Sequence, residues 1–218
     1  MAQLFHASAN VVSKASIVII ALVVGVLALV SWEIFNSAYF TNVNVAREQP
    51  IQFSHQHHVT GLGIDCRYCH SSVQKTSFAD IPPTHTCMTC HSQVWTNAPI
   101  LEPVRASYRT NVPLKWLKVH DTPDYVFFNH SIHVAKGVGC STCHGRVDQM
   151  QQISKFGTMY MAWCLDCHRA PQKFVRPQSE IFNSAWTPPA NQEEAGLKIV
   201  QANHINVSQL TNCSICHR

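Results

Sequence analysis

The sequence predicts a mainly helical and irregular fold with little β-structure, behind one N-terminal transmembrane helix. Three observations predict it: an uncharged run from Ala15 to Val30, ten cysteines that all fall in copies of one short motif, and prolines that punctuate residues 97–114 and 171–190, where no alternating strand pattern of useful length occurs. The chain has 218 residues, a formal charge of +4 and only 13% charged residues, against about a quarter in an ordinary soluble domain. That composition excludes a disordered or acidic-tail protein, and +4 without a basic run excludes an electrostatic nucleic-acid binder. The length suits one compact domain or two small ones. Ten Cys and fourteen His are more than such a core requires, so something other than apolar side chains must fill the interior.

Residues 1–14 are polar to mixed and carry Lys14. The apolar run continues through Trp32 to Phe35, so the span is 15–35, about 20 residues and enough to cross about 30 Å of hydrocarbon. It has no polar face, as a buried core helix would, and it is longer than the apolar core of an export signal. It reads as an uncleaved signal anchor in contact with membrane lipid. Lys14 precedes the span, while Glu33 and Arg47 follow it. The positive-inside bias places 1–14 in the cytoplasm and everything beyond the span on the periplasmic face of the cytoplasmic membrane. Trp32, Phe35, Tyr39 and Phe40 suit an aromatic belt at the outer interface, and 36–50 is a linker.

The motif is Cys-x-x-Cys-His, and it occurs five times: Cys66/Cys69/His70, Cys87/Cys90/His91, Cys140/Cys143/His144, Cys164/Cys167/His168 and Cys213/Cys216/His217. Shuffling these residue types would give roughly 0.03 copies in such a chain, so chance is excluded. The spacing is that of c-type haem attachment: thiols one helical turn apart can each form a thioether with a haem vinyl group, and the next His turns under the ring to bind iron. Zinc sites would leave one of five Cys pairs unpartnered and do not require a His after every second Cys. A disulfide scaffold does not demand uniform spacing. The sequence therefore predicts five haem c groups, with His70, His91, His144, His168 and His217 as proximal iron ligands.

Between these motifs lies a repeat. Phe53-Ser-His55-Gln-His-His58-Val59 precedes Cys66, and Phe128-Asn-His130-Ser-Ile-His133-Val134 precedes Cys140. The His and Cys offsets are 74 or 75 residues, and Cys87 and Cys164 lie 77 apart, as expected for one two-haem unit used twice. Two His at i and i+3 on a helical turn can face two irons. His55, His58, His130 and His133 are thus candidate distal ligands, and His120 is the leading candidate for the fifth, with Met161 or His204 as alternatives. His57 points elsewhere, His85 is too close to Cys87 to cross its own haem, and His6 lies across the membrane. A Met ligand would raise that haem's potential over a His/His pair.

These readings divide the chain into 1–14, the anchor 15–35, the linker 36–50, a first two-haem unit 51–110, a second 111–180, and an extension 181–218 with the fifth haem. The fold class is a mainly α and irregular multihaem cytochrome c built of class III, c7-like haem-pair units. At about 36 residues per haem, the macrocycles must pack closely and supply the core, which makes an electron conduit. A multihaem reductase would need an iron with an open site, whereas all five motifs end in His and spare His are numerous. Sensing or scaffolding has no signalling segment to support it.

Five further blocks carry a resemblance: Gly61-Leu-Gly-Ile-Asp-Cys66 with its motif, Ile81-Pro-Pro-Thr-His-Thr-Cys87, Val119-His-Asp-Thr-Pro-Asp-Tyr-Val-Phe-Phe-Asn-His130, Gly145-Arg-Val-Asp-Gln-Met150 and Thr211-Asn-Cys213-Ser-Ile-Cys216-His217. From about residue 53 onward, with 171–210 unmatched, the chain resembles the pentahaem cytochrome c subunit of bacterial alternative complex III. The resemblance implies an electron-transfer subunit, not an enzyme on its own, in a quinol:electron-acceptor oxidoreductase. It also implies polytopic quinol-binding membrane subunits, an iron–sulfur subunit, and a monohaem cytochrome c subunit or soluble carrier as partners. Met161-Ala-Trp-Cys164 departs from the Met-Gly-Trp-Cys of that family. A tetrahaem quinol dehydrogenase of the nitrite- or nitrate-reductase type also pairs one anchor helix with a haem domain, but it lacks the fifth motif and the duplication.

Overall fold

A computed structural model of the chain describes residues 5–217. Residues 1–4 of the N-terminal segment and Arg218 of the extension lie outside the described residues. The chain divides into two compact units, with the boundary between Asn42 and Val43, inside the linker read from the sequence.

The first unit is helix α1, Ala9–Asn36, followed by the short α2, Ala38–Thr41. None of the α1 side chains is buried, and the helix is long and apolar enough to cross a membrane. At 1.5 Å per residue its 28 residues extend about 42 Å. It starts six residues before the uncharged run, because propagating a helix adds one hydrogen bond per residue and needs no new nucleus. Extended backbone at Ser37 breaks it, and Asn42, at φ 55°, ends α2 in the left-handed region that Asn tolerates.

The second unit is built of short helices joined by turns. The π-helical turn Gln56–Gly61 is followed by α3 (Cys66–Cys69), α4 (Thr84–His91), α5 (Glu102–Thr110), α6 (His130–Ala135), α7 (Cys140–His144), α8 (Met161–Arg169), α9 (Gln192–Ala202) and α10 (Cys213–Cys216). Among the described residues β-structure is limited to four isolated bridges. Local chemistry places the helix starts. Asp65 caps α3 by accepting from Arg67 N (2.8 Å), and Asn129 caps α6 by accepting from Ser131 N (2.9 Å). Gly145, at φ +68°, turns the chain out of α7.

Apolar packing is sparse. Ile51, Leu101 and Val104 form one buried cluster, against which Met88 and Trp116 pack; Val73, Val134 and Ile181 form another. Helix α9 falls in the extension 181–218, just beyond the proline-punctuated residues 171–190. Its local signals are Glu193 and Glu194 in the first turn and the Glu194–Lys198 pair at i,i+4. It docks on the 3₁₀ turn Pro171–Lys173, and Gln192 Nε2 donates to Gln172 O (2.9 Å) and Val175 O (2.8 Å). Gly196 permits the contact, since a Cβ there would lie 1.9 Å from Gln172 O. Gly196→Ala is therefore expected to destabilise this docking by about 1–3 kcal/mol, read as faster limited proteolysis between 190 and 205 with the five haem motifs left intact.

Candidate haem-binding site

In each motif the two Cys stand one turn apart on a short helix, and none of the ten is joined in a disulfide. Burial pushes the Cys143 thiol up to about 12 and those of Cys140 and Cys167 to about 11, so all three are neutral. The imidazoles beside them shift the opposite way. Burial, with repulsion from His120, His130, His70 and His55, pushes His144 down to about 3. Burial, then His70 and His58, brings His55 down to about 4. The interior thus holds uncharged thiols and uncharged imidazoles, the donor set that covalent haem uses.

Two of the ten motif thiols do not share that interior. Cys90 and Cys213 are exposed, whereas the other eight are partly buried. In α4 the residues turned toward Ile51, Leu101 and Val104 are Cys87 and Met88. Cys90 lies at the C-terminal end of the same helix, beyond that contact, and its Sγ accepts only a long bond from the exposed Thr89 Oγ1 at 3.9 Å. Cys213 opens α10, none of whose residues is buried. Cys87 thus faces the interior and Cys90 the surface, and these two residues would hold a haem by its thioether links.

Seven histidines are oriented by the same kind of contact. Nδ1–H donates to a backbone carbonyl in His58 (Ser54 O, 2.8 Å), His70 (Asp80 O, 2.7 Å), His91 (Val94 O, 3.2 Å), His130 (Ser77 O, 2.9 Å), His133 (Asn129 O, 2.7 Å), His168 (Leu210 O, 2.8 Å) and His217 (Tyr125 O, 3.2 Å). In a neutral imidazole such a bond places the lone pair on Nε2 and orients the ring, as metal-binding imidazoles require. His55 Nδ1 is buried without a hydrogen-bond partner.

Three pairs have the spacing of axial ligands. Bonds of about 2 Å and about 1.2 Å from nitrogen to ring centre put two imidazoles facing across one metal at about 6.3 Å between centroids. His58–His91 and His130–His144 are each at 6.3 Å, and His133–His168 is at 6.1 Å. His55 lies within electrostatic reach of His70. No three His, Cys, Asp or Glu side chains converge as a metal cage among the described residues.

The duplicated frame recurs in three dimensions. Phe53 meets His55 edge-on at 4.9 Å and stacks on His58 at 4.4 Å; Phe128 meets His130 edge-on at 4.7 Å and stacks on His133 at 4.4 Å. Each Phe therefore sets the angle between two candidate ligands, a role that its place in the repeat could have signalled. The two copies also clasp each other: Gln56 N donates to Met150 O, and His130 N to Ser77 O. Locally they differ, with a π-helical turn after His55 and an α-helix from His130.

The remaining candidates are placed elsewhere. His120 lies against His144 with centroids 4.3 Å apart, too close to span an iron, and its Nε2 accepts from Phe156 N at 3.4 Å. His204 is exposed at the end of α9, and Met161 is 63% exposed at the start of α8. His217 stacks on Tyr125 at 5.9 Å. The structure thus brings none of His120, His204 or Met161 into ring or hydrogen-bond contact with His217. His57 stacks on Trp95 at 6.3 Å, and His85 approaches Tyr108 at 6.4 Å.

The described residues are mainly helical and irregular, with one N-terminal apolar helix, and carry five motifs whose residue types and spacing are those of c-type haem attachment. Residues 126–218 match the family described as cytochrome c7 and related cytochrome c. The chain is also 41% identical, over 99 residues, to the multihaem cytochrome c subunit of the menaquinone reductase of Nitratidesulfovibrio vulgaris. The match covers 45% of this chain and 46% of that protein, so the chain spans about half the length of this relative.

Proposed function

We propose that the chain is a membrane-anchored pentahaem electron conduit in a quinone-linked respiratory complex of the alternative complex III type. It passes electrons from quinol-oxidising and iron–sulfur subunits to a monohaem cytochrome or another periplasmic acceptor. The observation that carries this reading is the set of imidazole pairs at 6.1–6.3 Å beside the attachment motifs. In this reading His58 and His91 hold one iron, His130 and His144 another, His133 and His168 a third, and His55 with His70 a fourth. His217 holds the fifth, with His120, Met161 or His204 as its candidate second ligand. Haem supplies the one-electron chemistry, while the chain supplies ligands, spacing and exclusion of water. Helix α1 anchors the carrier, with its N-terminus in the cytoplasm and residues beyond 36 on the outer face.

The relative's name favours a second reading of direction: it is a subunit of a menaquinone reductase. The same conduit would then carry electrons toward quinone, because direction follows from the potentials of donor and acceptor. One experiment tests both readings. The complex is purified anaerobically from membranes, its subunits are identified, and its haem is assayed as the pyridine haemochrome. Five haems per chain and reduction of those haems by a quinol are expected; three or fewer haems would overturn the pentahaem assignment. Haems that a quinol leaves oxidised, but that reduce added menaquinone once charged with electrons, would establish the reverse direction.

A further inference from the structure

Arg176 is 4% exposed and has no carboxylate partner among the described residues. Its Nη1 donates to Ser141 Oγ (3.1 Å) and Asn183 O (3.2 Å), and its Nη2 donates to Thr142 Oγ1 (2.9 Å). The guanidinium lies 4.4 Å from the centre of the Trp186 ring, and Nε is buried without a partner. Every polar contact is therefore to a neutral group, although burying an unpaired charge is costly. The chain is shaped to accept it. A Cβ on Gly139 would fall 2.2 Å from the Arg176 Cζ, and Arg176 N donates to Gly137 O (2.8 Å) beside the Val138–Val175 bridge. Glu180, the acid nearby, accepts instead from Asn183 Nδ2 at 2.7 Å.

Ser141 and Thr142 are the two residues between Cys140 and Cys143, so this fixed cation sits on the turn that carries a haem. The neighbouring motif at Cys66 has a different surrounding. Arg67 is held by Asp65 at 2.8 Å, so the charge on that motif is paired and half-exposed, and Arg146, which follows the Cys140 motif, is likewise paired, with Asp148 at 2.7 Å. We propose that Arg176 is a potential-setting residue: its unpaired charge raises the reduction potential of the haem attached at Cys140 and Cys143 above that of the haem attached at Cys66 and Cys69. This rests on the pentahaem reading. Reduction adds one electron to the iron–porphyrin core, and a nearby positive charge favours the reduced form. Burial keeps water and salt from screening that effect. Electrons held by the pair therefore collect on the second unit.

The test is a redox titration of the intact complex, followed optically and by EPR, on Arg176→Gln, Arg176→Lys and Glu180→Gln. Arg176→Gln is expected to lower one component by at least tenfold in its reduction equilibrium, which is about 59 mV for one electron. Arg176→Lys, which keeps the charge, should retain most of the parent potential. Glu180→Gln can still accept from Asn183 and should move the same component upward. Unchanged potentials in Arg176→Gln, or an equal fall in Arg176→Lys, would overturn the proposal. If Arg176→Gln does not assemble, the absence of an upward shift in Glu180→Gln overturns it. Mass spectrometry of the 140–144 haem peptide from the parent protein checks the underlying reading separately, since an unmodified peptide would refute attachment itself.

Discussion

Blocking haem attachment is expected to leave residues 43–217 unfolded. Produced without c-type maturation, or with the ten Cys replaced by Ser, the unit should show little helical circular dichroism, no cooperative thermal transition and rapid proteolysis. Among the described residues its buried apolar side chains are Ile51, Val73, Leu101, Val104, Val134, Val175, Ile181 and Val200, of which only Val175 and Ile181 are fully buried. These are far too few to offset an ordering cost of about 1–2 kcal/mol for each residue's backbone. Helices α3, α7 and α10 have four or five residues each, well below the length at which isolated helices persist in water. A cooperative, protease-resistant unit formed without haem would show that the polypeptide alone is the core.

His133→Ala is expected to convert one haem of five from low-spin to high-spin. His133 is held on three sides: Nδ1 is bonded to Asn129 O, the ring is stacked on Phe128, and His168 is 6.1 Å away. Removing it leaves one iron with a single protein ligand and an open coordination position. A new high-spin EPR signal of about one-fifth of the total haem, reversed by added imidazole, is the expected readout. A spectrum identical to the parent would remove His133 from the ligand set. His133→Met should instead keep that haem low-spin and raise its potential, because a His/Met pair favours the reduced form over His/His. The same EPR measurement on His120→Ala separates a ligand from a packing residue. Loss of one low-spin haem would place His120 on an iron, and an unchanged spectrum would leave Met161 and His204 as the candidates for the fifth site.

Much of this site was legible in the residues. The five motifs needed only their spacing, and the Phe-x-His-x-x-His frame announced a duplicated unit whose two copies hold their rings at nearly equal distances. The fifth distal ligand was not legible in the same way. His120 stands outside the repeat, so nothing local tied it to one iron, and the fold brings it to His144. Nor did the motif disclose that Cys90 faces solvent while Cys87 packs inward, because the spacing is the same in all five copies and only the neighbours of α4 differ. Helix α9 was not legible within the extension 181–218, because prolines stand on its N-terminal side and its docking depends on Gly196 meeting a carbonyl 24 residues upstream.

The sequence by itself determined the chemistry of the protein: thiols one turn apart, a His after each pair, a repeat 74 to 77 residues long, and an apolar run long enough for a membrane. Each of these is a local pattern whose meaning depends on spacing along one helix. Only the tertiary structure decided which imidazoles face one another, which backbone carbonyls hold their tautomers, and that Arg176 lies unpaired against Ser141 and Thr142. His58 and His91 belong to different elements, as do Arg176 and Ser141, which stand 35 positions apart. Such long-range contacts are selected by packing and burial, which no local pattern encodes.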